Sequence, residues 1–110
     1  MQRIPLDDRR RAVTQNLEHG GHAFTLTIGV DNAGAPREVF AKGPKTGTSL
    51  AHVLDDACVL ISLALQHGIE PRALEKSLGT VPDYSGVHGP ASPIGAILAA
   101  VTAFDTGGVA

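Results

Sequence analysis

Residues 36–43, Pro36-Arg37-Glu38-Val39-Phe40-Ala41-Lys42-Gly43, run into Pro44-Lys45-Thr46-Gly47-Thr48, then Ser49-Leu50-Ala51-His52 and Val59-Leu60-Ile61-Ser62-Leu63-Ala64-Leu65-Gln66-His67-Gly68. This reads as a strand, a loop punctuated by glycine, and a long helix that is apolar on most of its sides. Thr48 has the hydroxyl that an N-cap needs to hold a free first-turn amide. Leu50, Leu54, Ala57, Ile61 and Leu65 form one stripe at helical spacing, and Val53, Leu60 and Ala64 widen it. That breadth predicts a buried central helix over Ser49–His67, packed on strands and on another helix. Gly68 suits the left-handed turn that ends a helix.

Upstream, Ala23–Val30 alternates cleanly. Phe24, Leu26, Ile28 and Val30 share one face, and Thr25, Thr27 and Gly29 share the other. Asp31-Asn32-Ala33-Gly34-Ala35-Pro36 is rich in turn formers, so Arg37–Lys42 returns as an antiparallel partner. Arg10–Leu17 is a weaker strand, with the turn Glu18-His19-Gly20-Gly21-His22 after it. Downstream, Pro71 opens a short helix near Glu70, and Gly79 follows its end. Thr80–Ala91 reads as an irregular loop. Ser92-Pro93 then caps an alanine-rich helix to about Phe104, burying Ile94, Ile97, Leu98 and Val101. The expected fold is α+β: a small antiparallel sheet of two to three strands against a long central helix and two shorter helices. Residues 1–110 form one domain, with 1–8 a loose leader and 105–110 a frayed tail.

Composition narrows the function. The 110 residues are 43% hydrophobic and 18% charged, with a formal net charge of -2. Nucleic-acid binding through a bulk basic footprint is therefore not expected. Cys58 is the single cysteine, so no disulfide closes within the chain and a reducing cytoplasm is the expected compartment. The apolar run Ala57–Leu65 is broken by Ser62 and is too short to span a bilayer, and no membrane partner is expected. A soluble bacterial-type protein is the resulting expectation.

Candidate sites follow from residue chemistry. The loop Gly43–Thr48 precedes a helix start, where free amides and the positive end of the macrodipole attract anions. Lys45 would add a charge, and Thr46 and Thr48 hydroxyls, which makes Lys45, Thr46, Gly47 and Thr48 a candidate phosphate site. The spacing is not that of a P-loop, and a plain strand-to-helix connector is the alternative. His19 and His22 flank a glycine pair, but two imidazoles fall short of the three or four ligands of a metal site, and exposed turn residues are expected. Asp55 and Asp56 point about 100° apart on a helix. One should face solvent and the other bond to loop backbone or an arginine, while His52 can pair with Asp56 one turn on. Ser62 is expected to bond back to a carbonyl one turn earlier. Cys58 has no adjacent base. No set of residues amounts to a catalytic site, and no cofactor or metal is called for.

The chain resembles the TSCPD domain, a module found near the C-terminus of adenosylcobalamin-dependent (class II) ribonucleotide reductases and also as short stand-alone proteins. The resemblance runs from about Arg11 to Val101. It rests on Phe24–Val30, on Glu38-Val39-Phe40, on Gly43–Thr48, on Leu60–Gly68 and on Ala91-Ser92-Pro93-Ile94-Gly95. The family's Thr-Ser-Cys-Pro-Asp motif aligns with Pro90-Ala91-Ser92-Pro93-Ile94, so Ser92 replaces the cysteine and Ile94 the aspartate. Reductase chemistry in the family uses a large barrel and several cysteines. The resemblance therefore implies a non-catalytic accessory or regulatory module that binds a nucleotide, a phosphate-bearing ligand or a protein partner such as a reductase large subunit. A homodimerisation domain built on an open sheet edge and the last helix is the alternative. Reductase activity of the chain itself is the third and least expected reading.

Overall fold

Paired glycines set the first turn. In the computed structural model, which describes residues 11–43 and 47–105, Gly20 and Gly21 have φ of 59° and 81°. That is the conformation of a two-residue hairpin turn, and side chains resist it. The turn joins β1 (Arg11–His19) to β2 (His22–Val30), in register from Arg11 opposite Val30 to His19 opposite His22. β3 (Pro36–Lys42) pairs antiparallel with the other side of β2, giving the order β1-β2-β3. Asp31 shapes the β2–β3 turn, its Oδ1 accepting the amides of Ala33 at 2.9 Å and Ala35 at 3.0 Å.

The alternation on β2 is realised. Phe24, Leu26, Ile28 and Val30 are buried, and Thr25 on the other face is exposed. Val39 and Ala41 of β3 complete the sheet's share of the core. The helices are α1 (Ser49–Gln66), α2 (Pro71–Glu75) and α3 (Pro93–Asp105). A second, two-stranded sheet joins β4 (Thr80–Pro82) to β5 (His88–Pro90). The architecture is α+β, as expected.

Three expectations are corrected. α1 is not the central helix: it lies along β3, at one border of the sheet, and barely meets α3. The helix that reaches both β1 and β3 is α3, whose Ile97, Leu98 and Val101 are at most 2% exposed. Nor is α1 buried all round. Leu54, Cys58, Ile61 and Leu65 face the core, but Val53, Val59 and Leu60 are 53–68% exposed. Apolar breadth misled because periodicity records composition around a helix and not what covers each side. Finally, Thr80–Ala91 is a hairpin. Asp83 Oδ1 accepts from the Ser85 amide at 2.8 Å, the Ser85 hydroxyl at 2.7 Å and the Val87 amide at 3.1 Å, which ties the turn. Strands of three residues are too short to show an alternating pattern. The expected leader and the tail from residue 106 lie outside the described residues, while Asp105 closes α3.

Candidate functional site

Only part of the loop before α1 is described. Lys45 and Thr46 lie outside the described residues; Gly47 and Thr48 lie within them and are exposed. Gly47 has φ of 76°. Thr48 is the N-cap, with extended backbone (φ -89°, ψ 162°) and Oγ1 accepting the Ala51 amide at 3.1 Å. The His52 amide bonds to Thr48 O at 3.0 Å and begins the helical ladder. No acidic residue occupies the first turn of α1, so its positive end is not neutralised locally. Gly43 packs on the Phe24 ring, 3.4 Å from where a Cβ would stand.

The most developed polar arrangement lies elsewhere, between α1 and β3. Ser62 Oγ accepts the Val39 amide at 3.0 Å and donates to the Val39 carbonyl at 3.4 Å. Gln66 Nε2 donates to the Arg37 carbonyl at 3.0 Å. Cys58 receives a backbone hydrogen bond from Ala41. Cys58, Ser62 and Gln66 recur every four residues on one helix face, and Ala41, Val39 and Arg37 every two on the strand. The helix side chains thus occupy the hydrogen-bonding positions that a further strand would take beside β3. This corrects the local back-bond expected for Ser62. It also closes this border of the sheet. β1 forms the opposite border and is exposed along most of its length, so the open edge expected of the sheet lies there.

Arg37 locks the end of this interface. Its Nη1 donates to the Leu65 carbonyl at 2.7 Å and its Nε to Asp31 Oδ2 at 2.9 Å. Burial alone would raise the Asp31 pKa, but the Arg37 bond and the Ala35 and Ala33 amides outweigh it and hold the carboxyl below its usual value. Desolvation pushes the Cys58 thiol the other way, upward, so it stays protonated and unreactive at neutral pH.

Over these polar rungs lies a groove of about 360 Å³. Phe40, Ala41 and Lys42 form one wall, and Asp55, Val59 and Leu63 the other. Lys42 Nζ meets Asp55 Oδ1 at 3.3 Å across it, with both side chains largely solvated. Asp55 is therefore the bonded member of the aspartate pair, with a lysine as partner. No His52–Asp56 ion pair occurs among the described residues. A volume in this range suits a small molecule or an inserted side chain. The groove was not legible in the sequence, because it needs the β3–α1 contact.

The histidines do not converge. His19 Nε2 donates to the Pro90 carbonyl at 2.9 Å and so pins the β1–β2 turn to the segment that leads into the α3 cap. It is half-buried there, not free as expected; His22 is exposed beside the Phe24 ring. No group of three metal-ligating side chains occurs among the described residues. Ser92 serves the fold directly, since its Oγ accepts the Gly95 amide at 3.1 Å and caps α3.

By length and composition α1 could cross a bilayer, with a mean hydropathy of 1.4 over its 18 residues. Its polar rungs instead tie it to β3.

Compared with known proteins, residues 3–103 match the family model described as the TSCPD domain. The chain belongs to the TSCPD domain family. Among curated proteins this TSCPD chain is 32% identical over 68 residues to a vitamin B12-dependent ribonucleotide reductase of Bradyrhizobium diazoefficiens, covering 62% of the chain and 5% of the enzyme. It is 30% identical over 64 residues to the enzyme of that name from Rhodopirellula baltica, covering 58% and 6%. The matched stretch is thus about a twentieth of the length of these relatives. No solved structure is significantly similar to it.

Proposed function

We propose that this TSCPD chain is a non-catalytic accessory module that acts in the cytoplasm by docking onto a ribonucleotide reductase large subunit. The observation that carries this reading is the β3–α1 groove, an apolar channel rimmed by one exposed ion pair. Phe40 and Val59 stand 48% and 57% exposed on it, and a few well-packed, desolvated side chains, aromatic ones above all, supply most of the binding energy at protein interfaces. The likeness to short segments of vitamin B12-dependent reductases supports the choice of partner. Cys58, the only thiol in these residues, is buried and bonded to the sheet, which supports a role without redox chemistry.

The test uses a vitamin B12-dependent reductase from which the segment matching this chain has been deleted. Adding the purified chain should form a complex on sedimentation and raise turnover. Val59→Glu should weaken binding at least about tenfold, or ~1.4 kcal/mol. Absence of a complex, or equal affinity of the variant, would refute the groove as the docking surface.

A second reading places a phosphate-bearing ligand, such as a nucleotide, at Lys45, Thr46, Gly47 and Thr48. The positive φ of Gly47 and the capped, exposed start of α1 favour it. Titration with inorganic phosphate and with ATP, followed by amide NMR, should shift Gly47 to Leu50. Unmoved resonances would remove this reading.

A further inference from the structure

α1 carries a second apolar seam, turned away from both the sheet and the groove. Leu50, Val53, Ala57, Leu60 and Ala64 alternate by three and four residues, which is the heptad spacing of a helix that packs against another helix. At about 100° per residue this seam lies roughly a quarter-turn from the core face of Leu54, Cys58, Ile61 and Leu65. Leu60 is 68% exposed, Val53 53% and Leu50 38%. They are therefore the outward side chains of a helix that is otherwise well anchored.

From the heptad seam, we infer that α1 pairs with α1 of a second copy of this chain, antiparallel, across a two-fold axis. This proposal is independent of the groove reading. The seam is self-complementary in size, because the large Val53 and Leu60 alternate with the small Ala57 and Ala64. In an antiparallel pair, Leu60 of one copy meets Ala57 of the other, and Val53 meets Ala64. Large against small lets the helices approach closely without voids.

The area is consistent with a reversible dimer. Leu50, Val53 and Leu60 together expose the equivalent of about 1.6 full aliphatic side chains, roughly 240 Å² per copy at ~150 Å² each. Two copies would bury about 480 Å² of apolar surface. At the ~60% apolar share usual for interfaces, the total comes to about 800 Å², the size of a weak, transient contact.

Sedimentation velocity over a wide concentration range tests the pairing. The expected result is a monomer–dimer equilibrium that Leu60→Glu and Val53→Glu each shift to monomer by at least tenfold in Kd. Val59→Glu, on the groove side, should leave the equilibrium unchanged. Far-UV circular dichroism should show each variant folded, as expected for exposed positions. A monomer throughout, a dimer that survives both seam variants, or a dimer abolished equally by Val59→Glu would each overturn the proposal. Flotation with phosphatidylglycerol vesicles gives the remaining outcome. Binding lost in Leu60→Glu would assign the seam to lipid and overturn the dimer.

Discussion

Ser62→Ala isolates the value of the side-chain rungs that close β3. The substitution removes one hydroxyl and leaves the Val39 amide and carbonyl without their partner, while Val39 itself is fully buried. A buried backbone group left unsatisfied costs about 1–3 kcal/mol, and the Ser62 oxygen also leaves a small void. The two bonds differ in length, 3.0 and 3.4 Å, so the amide bond should dominate. A loss of about 2 kcal/mol is therefore expected, equivalent to a fall in melting temperature of roughly 8–15 °C for a domain of this size. Urea unfolding followed by far-UV circular dichroism gives the difference directly, with the dependence on urea unchanged if the folded state keeps its compactness. Ser77→Ala is the control, since the exposed Ser77 hydroxyl bonds only to the Ala73 carbonyl of its own turn. It should cost under about 0.5 kcal/mol, as surface substitutions usually do. If Ser62→Ala costs no more than the control, water entering from the groove satisfies Val39 and the rungs do not hold α1 to the sheet.

Two further outcomes are expected. The Asp31 pKa is depressed in the folded protein, so its contribution to stability is complete above the ordinary value of 3.8 and is lost as pH falls through the lower folded value; Asp31→Asn should flatten this acid limb in urea titrations between pH 5 and pH 2, taken as about the range in which such a group titrates, and an unchanged limb would remove the Arg37 pairing as its source. Cys58 should react with a disulfide reagent at neutral pH only at the rate of unfolding, because its thiol is buried and its pKa raised. Rapid labelling under native conditions would contradict that burial.

The core of the sheet was legible in the sequence because the β2 alternation and the Gly20-Gly21 turn are local signals. The caps of α1 and α3 were legible for the same reason: Thr48 and Ser92 act within three residues of themselves. What stayed hidden depends on contacts far apart in the chain. Ser62 and Gln66 read as polar interruptions of an apolar helix until β3 lies beside them. His19 reads as a turn residue until Pro90, distant in sequence, reaches it. The position of α1 at a border, and not at the centre, follows from those polar interruptions: a helix face bearing serine and glutamine seeks backbone partners, and an apolar sheet face has none to offer. At the candidate anion loop, Thr48 kept its expected role, while the reach of Lys45 and Thr46 lies outside the described residues.

Matching helix to strand rung by rung sets a limit on geometry. Four helical residues advance about 6.0 Å and two strand residues about 6.6–6.8 Å, so the two rows drift apart by roughly 0.7 Å per step. Three rungs, two steps apart from end to end, stay within hydrogen-bond tolerance; a longer series would slip out of phase. Insertion of one residue inside β3 or α1 would throw every later step out of alignment, whereas a change of length in the connector 43–48 would leave all of them in place. Between the start of β3 and the end of α1, length variation should therefore be confined to that connector.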